Sequence, residues 1–177
     1  RMILGQQGPS VSPGELPLLS LLFPMNKVFE HHVTANLQRQ APPGVTVKAQ
    51  TRGQSLLRRP EGPLYALKPD LAVYHRGQPL AILDVKWKAI EKKRRNVFGI
   101  AQGDLYQVYA YGRYYGGAGD VQIILVYPRH DDAPDELQAT FADRREPSLT
   151  LRTSFVDIEH VDQWAGAMMR ALTPEVA

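Results

Sequence analysis

Leu67-Lys-Pro-Asp70 and Ile82-Leu-Asp84-Val-Lys86, separated by the turn His75-Arg-Gly-Gln-Pro79, decide how this chain is read. Gly77 lies seven residues after Asp70 and seven before Asp84. A regular hairpin centred there sets the two carboxylates opposite each other, with Cβ atoms about 4.5 to 5.5 Å apart. Strand side chains alternate between faces, so Asp84 and Lys86 share one, while Leu83, Val85 and Trp87 point the other way with Leu71 and Val73. The expectation is one face for chemistry and one for core.

Two facing carboxylates repel unless a cation sits between them, and hard oxygen ligands suit Mg²⁺ or Mn²⁺. A lysine two residues beyond Asp84 adds an ammonium beside such an ion. Together they can orient a water for in-line attack on a phosphodiester and stabilise the charge that develops on the phosphoryl oxygens. For the bare strings Pro-Asp and Asp-x-Lys, a solvated hairpin edge with a salt-bridging lysine is the commoner reading, because such short patterns recur by chance. Context decides between the two.

Upstream, Phe23-Pro-Met-Asn-Lys-Val-Phe-Glu30-His-His-Val33 reads as a helix with Pro24 near its start, where the missing N–H costs nothing. Glu30 is then a helical carboxylate. Downstream, Gly99-Ile-Ala-Gln102-Gly-Asp104-Leu-Tyr106-Gln107-Val-Tyr109-Ala-Tyr111-Gly112 reads as a second helix on which Gln102 and Tyr106, four apart, share a face.

A helical Glu, then Pro-Asp, then Asp-x-Lys, then a helix with Gln-x-x-x-Tyr resembles the PD-(D/E)XK nuclease superfamily. Within it, Met25-Asn-Lys-Val-Phe-Glu30, Leu83-Asp-Val-Lys-Trp-Lys88 and Asp104-Leu-Tyr-Gln-Val-Tyr-Ala-Tyr-Gly112 look like the McrC family of modification-dependent restriction systems. The resemblance runs from about Leu19 to Asp157 and is densest between Lys68 and Gly112. It implies an α/β fold with the restriction-endonuclease-like αβββαβ core, a mixed central sheet flanked by helices. It also implies Asp70 and Asp84 as ligands of Mg²⁺ or Mn²⁺ and Lys86 as the catalytic lysine. Glu30 would supplement the metal site directly or through water, and Gln102 and Tyr106 would flank it or touch the DNA backbone. The implied partners are double-stranded DNA and an McrB-type GTPase motor subunit, the latter bound through a region upstream of the nuclease core and outside this chain.

Composition agrees. A chain of 177 residues makes one domain able to bury a real core. It has no Cys, hence no disulfide framework and no thiolate zinc site. No apolar run reaches the roughly 20 residues that span a bilayer, and Leu16 to Phe23 is short and broken by Pro17 and Pro24. There is no basic n-region with a small-residue cleavage site, so a cytoplasmic protein without membrane contact is expected. A net charge of +3 is mild, so its distribution matters more. Lys86, Lys88, Lys92, Lys93, Arg94 and Arg95 stand against Glu91 alone, and Arg52, Arg58 and Arg59 extend the basic set. A solvated loop explains such a run as readily as phosphate contact does. Beside a nuclease site, Lys88 and Lys92 to Arg95 are expected to contact DNA phosphates without reading sequence.

Residues 1–15, rich in Gly and Pro, are expected to be a loop or the remnant of an upstream connection, and 16–177 the nuclease domain. Val45 to Gln50 and Leu64 to Ile90 supply strands, and Val121 to Tyr127 reads as a strand buried on both faces. Arg129 to Pro147 is a polar excursion, Leu149 to Asp157 a half-buried strand and Val161 to Leu172 an amphipathic helix. His31-His32 and His130-Asp131-Asp132 lack closed-site ligand spacing and are read as surface. No Gly-x-x-x-x-Gly-Lys-Ser/Thr loop is present. The expected function is a Mg²⁺-dependent DNA endonuclease domain serving as the cleavage module of a larger restriction complex. Two alternatives stand beside it: a stand-alone nuclease of the same superfamily, RecB-like or junction-cutting, and a catalytically silent DNA-binding or scaffold module.

Overall fold

A computed structural model describes residues 24–90, 99–116, 121–133, 138–141 and 149–173. Helix α1 (Met25–Arg39) leads into β1 (Val45–Ala49), the hairpin β2 (Gln54–Arg59) and β3 (Gly62–Leu67), and the hairpin β4 (Leu71–His75) and β5 (Gln78–Val85). Helix α2 (Gln102–Tyr115), β6 (Gln122–Pro128), β7 (Gln138–Phe141), β8 (Leu149–Val156) and α3 (Val161–Leu172) follow. Six strands form one sheet in the order β1-β4-β5-β6-β8-β7, and β2-β3 stands apart as a two-stranded sheet. Strands β1, β4 and β5 are antiparallel, whereas β5, β6 and β8 run parallel. With the β2–β3 insertion set aside, the order α1-β1-β4-β5-α2-β6 is the expected αβββαβ core, a mixed sheet flanked by helices.

The parallel centre is apolar because helices cover both its faces. Phe29, Val33 and Leu37, one per turn of α1, pack with Leu71, Val73, Leu83, Val85, Ile124 and Val126 beneath α1 and α3. On the other face Ile123, Leu125 and Tyr127 join Val108 of α2, and Ala72 and Ile82 join Tyr111. Gly112 is what lets α2 lie so close: a Cβ there would stand 2.3 Å from Ile123 Cδ1. Asp84, on the Ile82 side, is therefore not on an open chemical face as expected. Both faces of the sheet are core, and the polar residues emerge only where β5 ends.

The β4–β5 hairpin turns through Arg76 (φ 49°) and Gly77 (φ 83°), a pair of positive φ values suited to the strand twist. Near the turn His75 pairs with Gln78 and Tyr74 with Pro79; beyond it Val73 pairs with Ala81 and Leu71 with Leu83. Leu80 is thus an extra residue, a β-bulge. Continued unshifted, the turn register would set Asp70 opposite Leu83. The bulge moves the pairing by one residue, and since each one-residue slip exchanges faces, it alone brings Asp84 opposite Asp70.

Helix α1 ends at Arg39, just before Pro42-Pro-Gly44, as a helix stopped by those residues should, and at its start the Pro24 carbonyl accepts from the N–H groups of Lys27 and Val28 at 2.8 and 3.2 Å. The hairpin β2–β3 was not foreseen as a separate sheet. Strand β8 is more buried than a half-buried strand, with Thr153, Ser154, Phe155 and Val156 all inside, because β6 and β7 flank it and helices cover it. The boundary expected at residues 15 and 16 and the basic run Lys92 to Arg95 lie outside the described residues. Among the described residues no helix is long and apolar enough to cross a membrane.

Candidate active site

Asp70 sits one residue before β4, after Pro69, and its side chain takes over a strand role. Its Oδ2 accepts the Val85 N–H at 2.8 Å, while its carbonyl accepts the Gln50 N–H at 2.7 Å. The carboxylate is therefore fixed between the ends of β1 and β5. Burial, then the charge of Asp84, push its pKa up to about 6, against the opposing Val85 hydrogen bond. Asp84 is 2% exposed, and burial raises its pKa too, opposed by Lys86. Two adjacent carboxylates, both pushed toward protonation by burial and Asp70 further by the charge of Asp84, are a site for positive charge.

Lys86 supplies part of it. Its Nζ lies 2.5 Å from Asp84 Oδ2, 3.0 Å from Gln107 Oε1 and 3.9 Å from Asp104 Oδ1. The approach to Asp84 is an ion contact off the hydrogen-bonding direction, so Oδ2 stays buried without an aligned donor. Asp104 also takes the ammonium of Lys88. Lys88 is thereby engaged by α2 and does not project as a purely solvent-facing phosphate contact. Tyr127, fully buried on β6, has a hydroxyl without a hydrogen-bond partner among the described residues; burial first, then Asp104 and Asp84, raise its pKa.

On the other side of Asp70, Glu30 projects from α1, accepts from Lys27 Nζ at 2.6 Å and from Gln50 Nε2, and raises the pKa of Asp70. The structure thus brings Asp70, Asp84, Lys86 and Glu30 into one neighbourhood. It does not do so for Gln102 and Tyr106, which are exposed at the start of α2 and hydrogen-bond to each other at 2.5 Å. Gln107, itself exposed, and the buried Tyr111, at the same spacing one turn and a half further along, are the pair that meets Lys86. Gln107 accepts from Lys86 and donates to Tyr111 Oη at 2.8 Å, and Tyr111 donates to the Lys68 carbonyl at 3.1 Å. Burial raises the Tyr111 pKa to about 12, so it remains a donor.

Gln50, Asp104, Gln107 and Tyr111 were not singled out from sequence. For three of them a signal exists: Asp104, Gln107 and Tyr111 follow at i, i+3 and i+7, one stripe of α2, and it runs beside the buried Val108 and Gly112. Nothing local marks Gln50, whose side chain reaches Glu30 from a positive-φ position (φ 48°) after β1.

Among the described residues no group of three or more His, Asp or Glu side chains is gathered to hold a metal ion. The fit to a divalent cation rests on the Asp70/Asp84 pair alone: two oxygen-donor groups, mutually repelling, one with a buried oxygen that has no aligned donor. Those are hard ligands of the kind Mg²⁺ and Mn²⁺ take.

A chain of the refined half-complex from the tetradecameric assembly of Thermococcus gammatolerans McrB AAA+ hexamers with bound McrC shares the fold, with a TM-score of 0.56 over 86% of this chain at 21% identity. This chain spans 33% of that one's length. No curated protein matches. The family model described as McrBC 5-methylcytosine restriction system component matches residues 1–128. The match takes in α1, the whole hairpin with Asp70, Asp84 and Lys86, α2 and β6, and so the chain belongs to the McrBC restriction-system family.

Proposed function

We propose that this chain is a Mg²⁺- or Mn²⁺-dependent DNA endonuclease domain, the cleavage module of an McrBC-type complex. The observation that carries the proposal is the convergence of a half-buried carboxylate, a buried one and an ammonium, Asp70, Asp84 and Lys86, at the end of β5. A silent scaffold has no reason to keep a like-charge pair that costs stability. Family membership and the fold shared with a chain of an McrB–McrC complex support the placement in a restriction system. An McrB-type GTPase motor is accordingly the proposed partner and double-stranded DNA the substrate.

A divalent ion held by Asp70 and Asp84 would polarise a phosphoryl oxygen and lower the pKa of a water. The chain's own residues do the rest. Val85 N–H and Gln50 N–H fix Asp70 through its side chain and its carbonyl. Lys86 places positive charge where the phosphoryl oxygens gain negative charge, worth most in a site prepared before reaction. Gln107 and Asp104 keep that ammonium aimed, and the Tyr111 bond to Lys68 ties α2 to the segment that carries Asp70.

The test is plasmid cleavage by the chain with Mg²⁺ or Mn²⁺, with and without an McrB-type GTPase. Metal-dependent nicking or cutting is expected, weak for the chain alone and stronger in the complex. Specific readout needs side chains delivered to base edges or a pocket for a flipped base, and the described residues offer neither next to Lys86. Methylated and unmethylated duplex should therefore be cut equally by the chain alone. No cleavage under any of these conditions would refute the proposal.

A further inference from the structure

The β2–β3 hairpin is the part of the molecule that the catalytic reading leaves unused. It pairs with no strand of the main sheet and is exposed along nearly its whole length. Leu56, Leu57 and Tyr65 are 42%, 53% and 70% exposed. Tyr65 holds φ at +53°, a conformation that strains a non-glycine residue and is usually kept for a reason. Yet the base of the hairpin is fastened. Tyr114 Oη donates to the Leu56 carbonyl at 2.8 Å, and Tyr115 Oη contacts the carbonyls of Leu67 and Thr51 at 2.8 and 3.3 Å. Both tyrosines belong to α2, the helix that aims Lys86. From Leu67 the chain reaches Asp70 in three residues.

The charge is one-sided: Arg52, Arg58 and Arg59 against Glu61 between residues 52 and 67. Arg58 and Arg59 are exposed and make no ion pair with a described residue. They pair across the hairpin with Pro63 and Gly62, next to the turn Pro60-Glu61, so small partners leave both guanidinium groups unobstructed. Being adjacent in a strand, they point to opposite faces. An arm with a cation on each face of its tip matches a cleft with negative charge on both walls, which is the shape of a DNA groove. A two-stranded ribbon fits the major groove, about 12 Å wide and about 8.5 Å deep. Five steps of about 3.4 Å from base to tip make the arm long enough to enter it.

We propose that the β2–β3 hairpin is a duplex-gripping arm that enters the major groove beside the scissile phosphate, Arg58 and Arg59 meeting phosphates of the two strands and Tyr65 lying against the groove floor. The proposal rests on the nuclease reading above and names where that site takes its duplex.

The test measures binding of the 177-residue chain to a 30-base-pair duplex of arbitrary sequence and to one of its single strands, by fluorescence anisotropy across salt concentrations, for wild type and for the double variant Arg58→Ala/Arg59→Ala. Duplex affinity should fall at least ten-fold and the salt slope by about 1.8, from about 0.9 per lost phosphate contact. Single-strand affinity should change less than three-fold. Tyr65→Gly, which removes the strained conformation, should melt no lower than wild type and still bind duplex more weakly. Unchanged duplex affinity and slope in the double variant overturn the arm, and so does an equal loss on single strands, which would reduce it to undirected charge. Intact duplex binding with lost assembly onto an McrB-type partner would reassign the hairpin to a protein surface and likewise overturn it. The two readings fail separately. A wild type that binds duplex but never cuts with Mg²⁺ or Mn²⁺ removes the nuclease reading. A wild type that cuts, with a double variant that binds and cuts as well, removes the arm alone.

Discussion

The two walls of the site are built from the same residue types to opposite ends. On the α1 wall a glutamate, a lysine and a glutamine (Glu30, Lys27, Gln50) satisfy one another, and the group turned toward Asp70 is the carboxylate. On the α2 wall an aspartate, two lysines and a glutamine (Asp104, Lys86, Lys88, Gln107) also satisfy one another, and the group turned toward Asp84 is the ammonium of Lys86. One wall adds negative charge to the carboxylate pair, and the other adds positive charge beside it. The difference separates two jobs. The α1 wall raises the attraction for a cation, and the α2 wall prepares a charge for the substrate.

Removing the α2 cation should give the largest effect. Lys86→Ala should lower cleavage by about 10² to 10³-fold or more, the scale of losing one prepared electrostatic contact. Metal affinity and duplex affinity, measured by titration calorimetry and anisotropy, should stay within a few-fold of wild type. A comparable loss of metal affinity would show that the two walls do not divide the work as described.

The carboxylate pair between the walls sets the next effect, on stability. Asp70 has a pKa of about 6 in the folded chain against its ordinary 3.8. Between those values the folded state binds more protons than the unfolded one, so folding stability falls as pH rises through this window and stays lower above it. The shift corresponds to up to about 3 kcal/mol. Asp70→Asn retains an acceptor for Val85 N–H and should be more stable than wild type above pH 6 in metal-free buffer, by up to that amount. The gap should close below pH 4 and narrow with Mg²⁺, which stabilises only the chain that binds it. Thermal melts across pH with and without the ion check this; a variant less stable than wild type at pH 7 contradicts it.

Much of this site is legible in the sequence, and the parts that are not have local causes. Asp70, Asp84 and Lys86 stand out because strand periodicity and the position of Gly77 place them. Their facing nevertheless depends on Leu80, an extra residue that no turn signal announces; the symmetric count to Gly77 succeeds because it absorbs the bulge. The order of elements was readable from apolar runs such as Ile123 to Tyr127. The separate β2–β3 sheet was not, because Leu56, Leu57, Leu64 and Tyr65 look like core while their strands pair only with each other. On α2 the spacing Gln-x-x-x-Tyr occurs twice, and spacing alone does not say which copy faces the sheet. The buried neighbours Val108 and Gly112 do.

That duplication supplies a sharper comparison within the α2 wall. Gln107→Leu removes an acceptor of Lys86 and a donor to Tyr111, and should slow cleavage about ten-fold, in line with about 1.5 kcal/mol for a hydrogen bond to a charged group. Gln102→Leu, of the same chemistry on the copy that meets Tyr106 and not Lys86, should stay within two-fold. Equal losses at a fixed saturating metal concentration would mean that both copies serve the substrate.

The smallest effect is expected from the α1 wall, and its two readouts should move in opposite senses. Glu30→Gln removes a negative charge that raises the Asp70 pKa. At pH 8, where Asp70 is ionised in either chain, the variant has less negative charge to offer a cation, and Mg²⁺ affinity should fall a few-fold. At the acid limit Asp70 should lose its proton more readily, so metal binding should survive to a lower pH than in wild type. The contacts around residue 30 are retained in part, because the single amide oxygen of Gln can still accept from Lys27 or from Gln50. Mg²⁺ titrations at pH 8 and between pH 5 and 7 read both effects. A loss of a hundred-fold at pH 8 would make Glu30 a direct ligand, equal in rank to Asp70 and Asp84, and would end the distinction between the wall that attracts the ion and the pair that holds it.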